Sequence, residues 1–249
     1  MDYPKFEGLA VSSKFAICGL PVRVDSYKTC SFGCKYCFAN GRKIMEFKKN
    51  LQVADVPAIE RRCERIAHRG GQEGNFLDRL LEMGITWHFG GMSDPFQPVN
   101  EELRITNEIV DVANKYGYSI LFSTKSDTTH DANVRPDLHA FQLSVTNTAK
   151  NPEFEPFVPS LDRRLAFFHE LKSAGFKVGI RIQPFIPGIS GLEIIKAFEG
   201  ADHFIIEGRY FYGLSDIFKN SKKDPFARSA NGTIIAKVSY LFDIKKTKL

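Results

Sequence analysis

Cys30-Ser31-Phe32-Gly33-Cys34-Lys35-Tyr36-Cys37-Phe38-Ala39-Asn40 sets three thiols at a Cys-x3-Cys-x2-Cys spacing. A loop of this length folds three sulfurs onto one face, where their thiolates can hold one metal centre and leave a position open. Iron–sulfur clusters are normally held by four cysteines. Three close thiols with no fourth nearby therefore predict a [4Fe-4S] cluster with one iron free for another ligand. The other reading is a structural zinc knuckle, which needs four ligands and usually shows Cys-x2-Cys or Cys/His partners downstream. Here the remaining cysteines, Cys18 and Cys63, are isolated, and no His follows at finger spacing.

Outward from this loop, β-like and helical segments alternate. Residues 21–27, Pro-Val-Arg-Val-Asp-Ser-Tyr, alternate and are rich in β formers, so they predict a first strand with the cysteine loop at its C-terminal end. Residues 54–69 predict a helix through Val56, Ile59, Cys63 and Ile66, with Cys63 facing the core, and residues 75–83 a shorter one. Residues 85–91 read as a second strand ending in Gly90-Gly91. Asn100 is the expected N-cap of a long helix to Tyr116, with Ile105, Ile109, Val112 and Tyr116 on one face and Gly117 closing it. Strands follow at 118–123 and 141–145. Ser160 caps a helix with Leu161, Leu165, Phe168 and Leu171 on one face, closed by Gly175; then come a strand at 177–182, a helix at 192–198 and a strand at 203–207.

Six strands alternating with helices predict an α/β fold with a parallel sheet and right-handed crossovers. Ligands in such folds sit at the C-terminal strand ends. The cysteine loop, Gly90-Gly91, Ser123-Thr124-Lys125 and Ser144 all fall there. No repeat or low-complexity segment interrupts the alternation. The last forty residues are less periodic, with 233–241 an extra strand or helix.

At 249 residues, 43% apolar and 25% charged, the chain reads as one soluble globular domain, residues 1–249. Five cysteines, three of them clustered, argue against a disulfide framework and for a reducing compartment, and neither a signal core nor a membrane-length apolar run is present. A cytoplasmic protein with no membrane partner is expected. The net charge of +5 is uneven: residues 208–249 hold nine Lys/Arg against three Asp/Glu. This short basic extension is either a nucleic-acid contact or a solvated surface. The six histidines form no metal-spaced pair.

The cysteine spacing, with the aromatic Tyr36 before the third thiol, resembles the radical S-adenosylmethionine (SAM) superfamily. The resemblance implies a partial (β/α)6 TIM-type barrel, a cluster on Cys30, Cys34 and Cys37, and SAM bound through its methionyl amine and carboxylate to the fourth iron. It further implies reductive cleavage of SAM to a 5′-deoxyadenosyl radical that removes hydrogen from a substrate, and an electron donor such as flavodoxin or ferredoxin. A narrower likeness, to spore photoproduct lyase relatives, is carried by His88-Phe89-Gly90-Gly91-Met92-Ser93-Asp94-Pro95-Phe96-Gln97-Pro98, Ser123-Thr124-Lys125-Ser126, Leu143-Ser144-Val145-Thr146 and Pro184-Phe185-Ile186-Pro187-Gly188. It implies that Ser93, Lys125 and Ser144 contact SAM and that Gly90 and Gly91 let backbone approach it; Tyr36 packs on the cluster, on adenine or in the core. Members that repair DNA carry a hydrogen-donor cysteine two residues before that serine, where this chain has Gly91. Three functions stay open: an enzyme of this kind acting on nucleic acid, one acting on a peptide or small metabolite, and an iron–sulfur sensor or nucleic-acid-binding module without SAM turnover.

Overall fold

The structure, a computed structural model, describes residues 3–12, 20–37, 51–146, 154–185, 190 and 192–206. Cys18, residues 186–189 and the basic segment 208–249 lie outside the described residues. The strands are β1 (Lys5–Phe6), β2 (Leu9–Val11), β3 (Val22–Val24), β4 (Val53–Ala54), β5 (Trp87–Phe89), β6 (Ile120–Thr124), β7 (His139–Ser144), β8 (Lys177–Ile182) and β9 (His203–Ile206). The helices are α1 (Val56–Arg69), α2 (Phe76–Glu82), α3 (Val99–Leu103), α4 (Ile105–Tyr116), α5 (Leu161–Ser173) and α6 (Leu192–Ala197).

The six expected strands are β3, β5, β6, β7, β8 and β9. They pair in parallel and in chain order, as repeated βα units require. β2 adds an antiparallel edge strand against β3, and β1 pairs with β4 in a separate small sheet. These additions are two or three residues long, too short for a periodic signal. Among the described residues the main sheet is open, with β2 and β9 as its edges.

Strand alternation sorts the side chains onto two faces. Val22, Val24, Trp87, Phe89, Ile120, Phe122, Phe141, Leu143, Val178, Ile180 and Ile182 are buried with Ile59, Cys63, Ile109, Val110, Phe167 and Phe168 from the helices. Phe122 is central to this core, with ring centroids of Phe96 and Phe141 at 5.1 Å and Phe89 at 5.5 Å. The intervening residues, among them Arg23, His88, Ser123, Gln142, Ser144 and Arg181, belong to the opposite face; Gln142 is buried there and the others are half-buried.

Local chemistry fixes the helix ends. Asp55 accepts from the Ala58 amide ahead of α1, and Asn75 and Asp78 form a reciprocal capping box on α2. The expected long helix from Asn100 is instead two. Arg104 adopts a left-handed conformation (φ 53°) and separates α3 from α4. Asn100 is no cap: it is fully buried, its Oδ1 accepting from Tyr27 Oη (2.6 Å) and the Thr106 amide (3.0 Å) while its Nδ2 donates to Asn107 (2.9 Å). One side chain thus stitches the bend together. Gly117, also left-handed (φ 74°), ends α4 as expected. On α5 the buried face is Arg164, Phe167, Phe168 and Leu171, rotated from the expected Leu161/Leu165 stripe, which is only half-buried. No helix among the described residues is long and apolar enough to cross a membrane.

Candidate cofactor site

The segment after β5 grips the cysteine loop from both sides. Asp25, just beyond β3, uses Oδ1 to accept from the amides of Met92 (2.7 Å) and Ser93 (3.3 Å) and pairs through Oδ2 with Arg23 Nε at 3.0 Å. Ser93 Oγ donates to the Tyr27 carbonyl at 2.6 Å. Gln97 brackets the first cysteine: Nε2 donates to the Thr29 carbonyl and Oε1 accepts from the Ser31 amide, each at 2.8 Å. Asp94 ties the same segment to the end of β6, accepting from Thr124 Oγ1 (2.7 Å), the Lys125 amide (2.6 Å) and the Phe96 amide (3.0 Å).

Gly90 makes this junction possible. It sits at φ 100°, and a Cβ there would run into the Ser123 carbonyl oxygen and lie 3.0 Å from Pro95 Cδ. The close approach seen here is therefore of β5 to β6. Gly90→Ala is expected to destabilise the fold by on the order of 3 kcal/mol, combining a disfavoured dihedral with a backbone clash; urea unfolding measures it.

Burial pushes the Asp25 carboxyl up to about 6 from its ordinary 3.8, against the pull of Arg23 and the two amides. A raised carboxyl favours the fold when protonated, so its contribution is full below pH 4 and is lost as pH rises through 6. Asp25→Asn is expected to remove that slope, up to about 3 kcal/mol between pH 4 and 7; unfolding midpoints of both proteins across this range check it.

The three thiols are gathered in one pocket of apolar walls made by Phe32, Tyr36 and Phe154. The turn between the first two needs Gly33, at φ 62°, whose face is covered by the Phe157 ring. Burial raises Cys30 above the ordinary thiol range, opposed by hydrogen bonds from the Asp94 and Phe32 amides, and Cys34 is pushed up to about 12, opposed by Lys125. Cys30 and Cys34, and Cys34 and Cys37, lie within Coulombic reach of one another. Among the described residues no three His, Cys, Asp or Glu side chains converge on a single-ion site. A four-iron cluster gives each thiolate its own iron, so it needs the sulfurs on one face rather than at one point. Buried amides aimed at Cys30 suit a thiolate ligand, as hydrogen bonds to cluster sulfurs do.

Beside the thiols lies a buried charged network. Tyr36 Oη donates to Glu155, Lys125 Nζ pairs with Glu155 Oε1 at 3.0 Å, and Arg164 Nη2 approaches Glu155 Oε2 at 3.5 Å. Arg164 Nη1 also donates to the Ser144 carbonyl at 3.0 Å, and Lys125 Nζ stands 5.4 Å from the centre of the Tyr36 ring. Burial alone would raise Glu155, but Lys125 and Arg164 outweigh it and hold the carboxyl below its ordinary range. Burial and the neighbouring Glu155 hold the Tyr36 phenol well above its own.

The structure thus brings Tyr36, Lys125 and Ser144 together beside Cys34, with Gly90, Gly91 and Ser93 on the Asp25 side of the loop. Asp25, Gln97, Glu155 and Arg164 escaped the sequence reading. Only Arg164 carried a signal: with Phe167, Phe168 and Leu171 it completes an i, i+3, i+4, i+7 face, which its charge disguised.

No family model matches the chain. An uncharacterized protein of Methanocaldococcus jannaschii is 22% identical over 178 residues, 69% of this chain and 63% of that protein. A variant of spore photoproduct lyase superposes with a TM-score of 0.54 at 18% identity, covering 79% of this chain and 56% of the lyase. A second variant, with bound AdoMet and dinucleoside spore photoproduct, gives 0.56 at 16% identity over 92% and 72%. SuiB of Streptococcus suis gives 0.51 at 12% identity over 77% and 40%. The chain shares the fold of these proteins, a mostly parallel, TIM-barrel-like α/β sheet, and spans under two thirds of the archaeal relative and of the first lyase chain.

Proposed function

We propose that the chain is a radical SAM enzyme of the spore photoproduct lyase-like branch. The observation that carries this reading is the collection of Cys30, Cys34 and Cys37 in one pocket at the C-terminal strand ends, framed by buried hydrogen bonds from the segments after β3, β5 and β6. Those thiols would hold a [4Fe-4S] cluster, and Gly90, Gly91, Ser93, Lys125, Ser144 and Tyr36 would surround SAM. Bound there, the two would supply a 5′-deoxyadenosyl radical that takes hydrogen from a substrate.

The chain's own groups have separable tasks. Ser93 spends its proton on the Tyr27 carbonyl, so its oxygen is left as an acceptor, which suits a methionyl ammonium. Lys125 is held by Glu155 with its ammonium close to the Tyr36 ring, where it can meet a carboxylate or ribose oxygens without first being desolvated. Phe32, Tyr36 and Phe154 shield Cys34 from water, with Cys30 and Cys37 half-buried beside it. The reducing electron would come from a donor such as flavodoxin or ferredoxin. Gly91 offers no thiol, so hydrogen return to a product radical, where it occurs, falls to another group.

The deciding experiment is anaerobic reconstitution with iron and sulfide, then dithionite and SAM. Formation of 5′-deoxyadenosine supports the proposal; a reconstituted, reduced protein that leaves SAM intact overturns it.

A further inference from the structure

The segment 154–158 covers the turn of the thiol loop, and its side chains divide sharply. Phe154 is buried and Val158 half-buried in the apolar cluster around the thiols, while Pro156 and Phe157 between them face solvent. Phe157 is 70% exposed. A Cβ on Gly33 would lie 3.1 Å from the Phe157 ring and 3.5 Å from Pro156 Cγ, so both rings rest on the turn between Cys30 and Cys34. The Lys35 amide donates to the Phe154 carbonyl at 2.9 Å and fastens the two segments together. Among the described residues Phe76 and Met83 are also large, apolar and exposed, but they belong to α2 and its C-terminal cap.

A single exposed apolar side chain is ordinary. Here a phenyl ring and a proline ring lie together on the turn that carries the thiols, and the charge around them has one sign. Among residues 25–37 only Lys28 and Lys35 are exposed. Along the sequence, residues 28–49 carry six Lys/Arg against one Asp/Glu. Glu155, the acidic group of the covering segment, is buried and engaged by Lys125 and Arg164, so it does not offset that surface. An apolar centre beside cationic groups fits a small, transient contact with a partner of opposite charge, as redox encounters are.

The place of the patch narrows the partner further. Electron tunnelling decays exponentially with separation, so a carrier must reach the thiols from their solvent side. Phe32, Tyr36 and Phe154 wall Cys34, and Gln97 brackets Cys30 from the segment after β5. The turn at Gly33, one residue from Cys34, is where the exposed rings lie.

We propose that Lys35, Pro156 and Phe157 form the docking surface for an acidic one-electron carrier protein, which seats an apolar patch on the two rings and passes its electron through the Gly33–Cys34 turn. The carrier loses one electron, the cluster gains it, and no bond is made or broken. This rests on the preceding reading in taking the thiols to hold a redox cluster.

The test uses the reconstituted full chain with reduced flavodoxin as probe, and follows cluster reduction by stopped-flow absorbance without SAM. Lys35→Glu is expected to slow reduction at least about fivefold at low salt, with the gap closing as salt rises, and Lys35→Arg to stay near the parent. Phe157→Ser is expected to slow it at least about fivefold at every salt concentration, as loss of an aromatic anchor does. Dithionite, a small reductant that needs no docking surface, should reduce all of these proteins at an unchanged rate. In the unsubstituted protein a carbodiimide should join Lys35 to a carboxylate of the flavodoxin, mapped by mass spectrometry, which keeps the test decisive should a variant fail to fold. The proposal is overturned by flavodoxin-driven reduction indifferent to both Lys35→Glu and Phe157→Ser, by cross-links confined to other lysines, by equal slowing with dithionite, or by a cluster that dithionite reduces and flavodoxin does not. Failure to assemble a cluster overturns this proposal together with the cofactor reading. SAM left intact by the dithionite-reduced protein overturns the cofactor reading alone, since cluster reduction is read without turnover.

Discussion

Alanine in place of any one of Cys30, Cys34 or Cys37 is expected to strip the reconstituted protein of most of its iron. Formation of 5′-deoxyadenosine should fall at least about a hundredfold, because removing a direct ligand costs more than the 10–100-fold typical of loosening an outer-shell group. Among the described residues no other cysteine can take over: Cys63 is fully buried in α1, in the core on the helix side of the sheet. The fold should survive. Cys34 is walled by Phe32, Tyr36 and Phe154, and losing one sulfur there costs about 1 kcal/mol. Iron analysis beside a thermal melt separates the effects. Iron retained in all three single variants would mean that the thiols do not hold the metal.

The second large effect is expected at Glu155. This carboxylate is buried among Lys125, Arg164 and Tyr36. Glu155→Leu would leave two cations without a counter-charge in a dry site, a change of the kind that costs about 3–5 kcal/mol. Glu155→Gln keeps one acceptor oxygen, enough for Tyr36 and Lys125 though not for Arg164 as well, and should cost less. The sign with pH follows from the lowered carboxyl: its contribution is present above the ordinary glutamate value near 4.5 and is lost as pH falls through the value in the fold. Denaturant unfolding at pH 7 and pH 4 measures both, and a Leu variant within 1 kcal/mol of the parent at pH 7 would show that the network is not a closed ion pair.

The contrast between these residues explains how far the sequence could be read. The cysteine loop was legible because its chemistry is local: three thiols within eight residues need no partner from elsewhere in the chain. The six parallel strands were legible because each is β-rich, apolar on its helix-facing side and bounded by turn residues. The Tyr36–Glu155 bond spans 119 residues, and Asp25 reaches 67 residues to Met92, so no window of sequence contains both partners. Arg104 broke the expected long helix because the buried Asn100 side chain bonds Tyr27 and Thr106, a tertiary demand that overrides helical periodicity. Gly90 was expected to serve a ligand, and the structure gives it a second duty, the passage of β5 beside the Ser123 carbonyl.

The polar residues on the sheet face away from the helices were hidden for a different reason. Arg23, His88, Ser123, Gln142 and Arg181 sit at the alternate positions of strands whose apolar partners announce the sheet, so each reads singly as an ordinary outward residue. Only the parallel, in-order pairing of the strands aligns them.

The account stands on a site-differentiated cluster held by three thiols, and electron paramagnetic resonance of the dithionite-reduced, reconstituted protein tests this most directly. The account expects about four irons per chain and a reduced-cluster signal that changes when SAM is added, as a free iron corner requires. A colourless protein with one zinc per chain, or a cluster signal indifferent to saturating SAM, would contradict it.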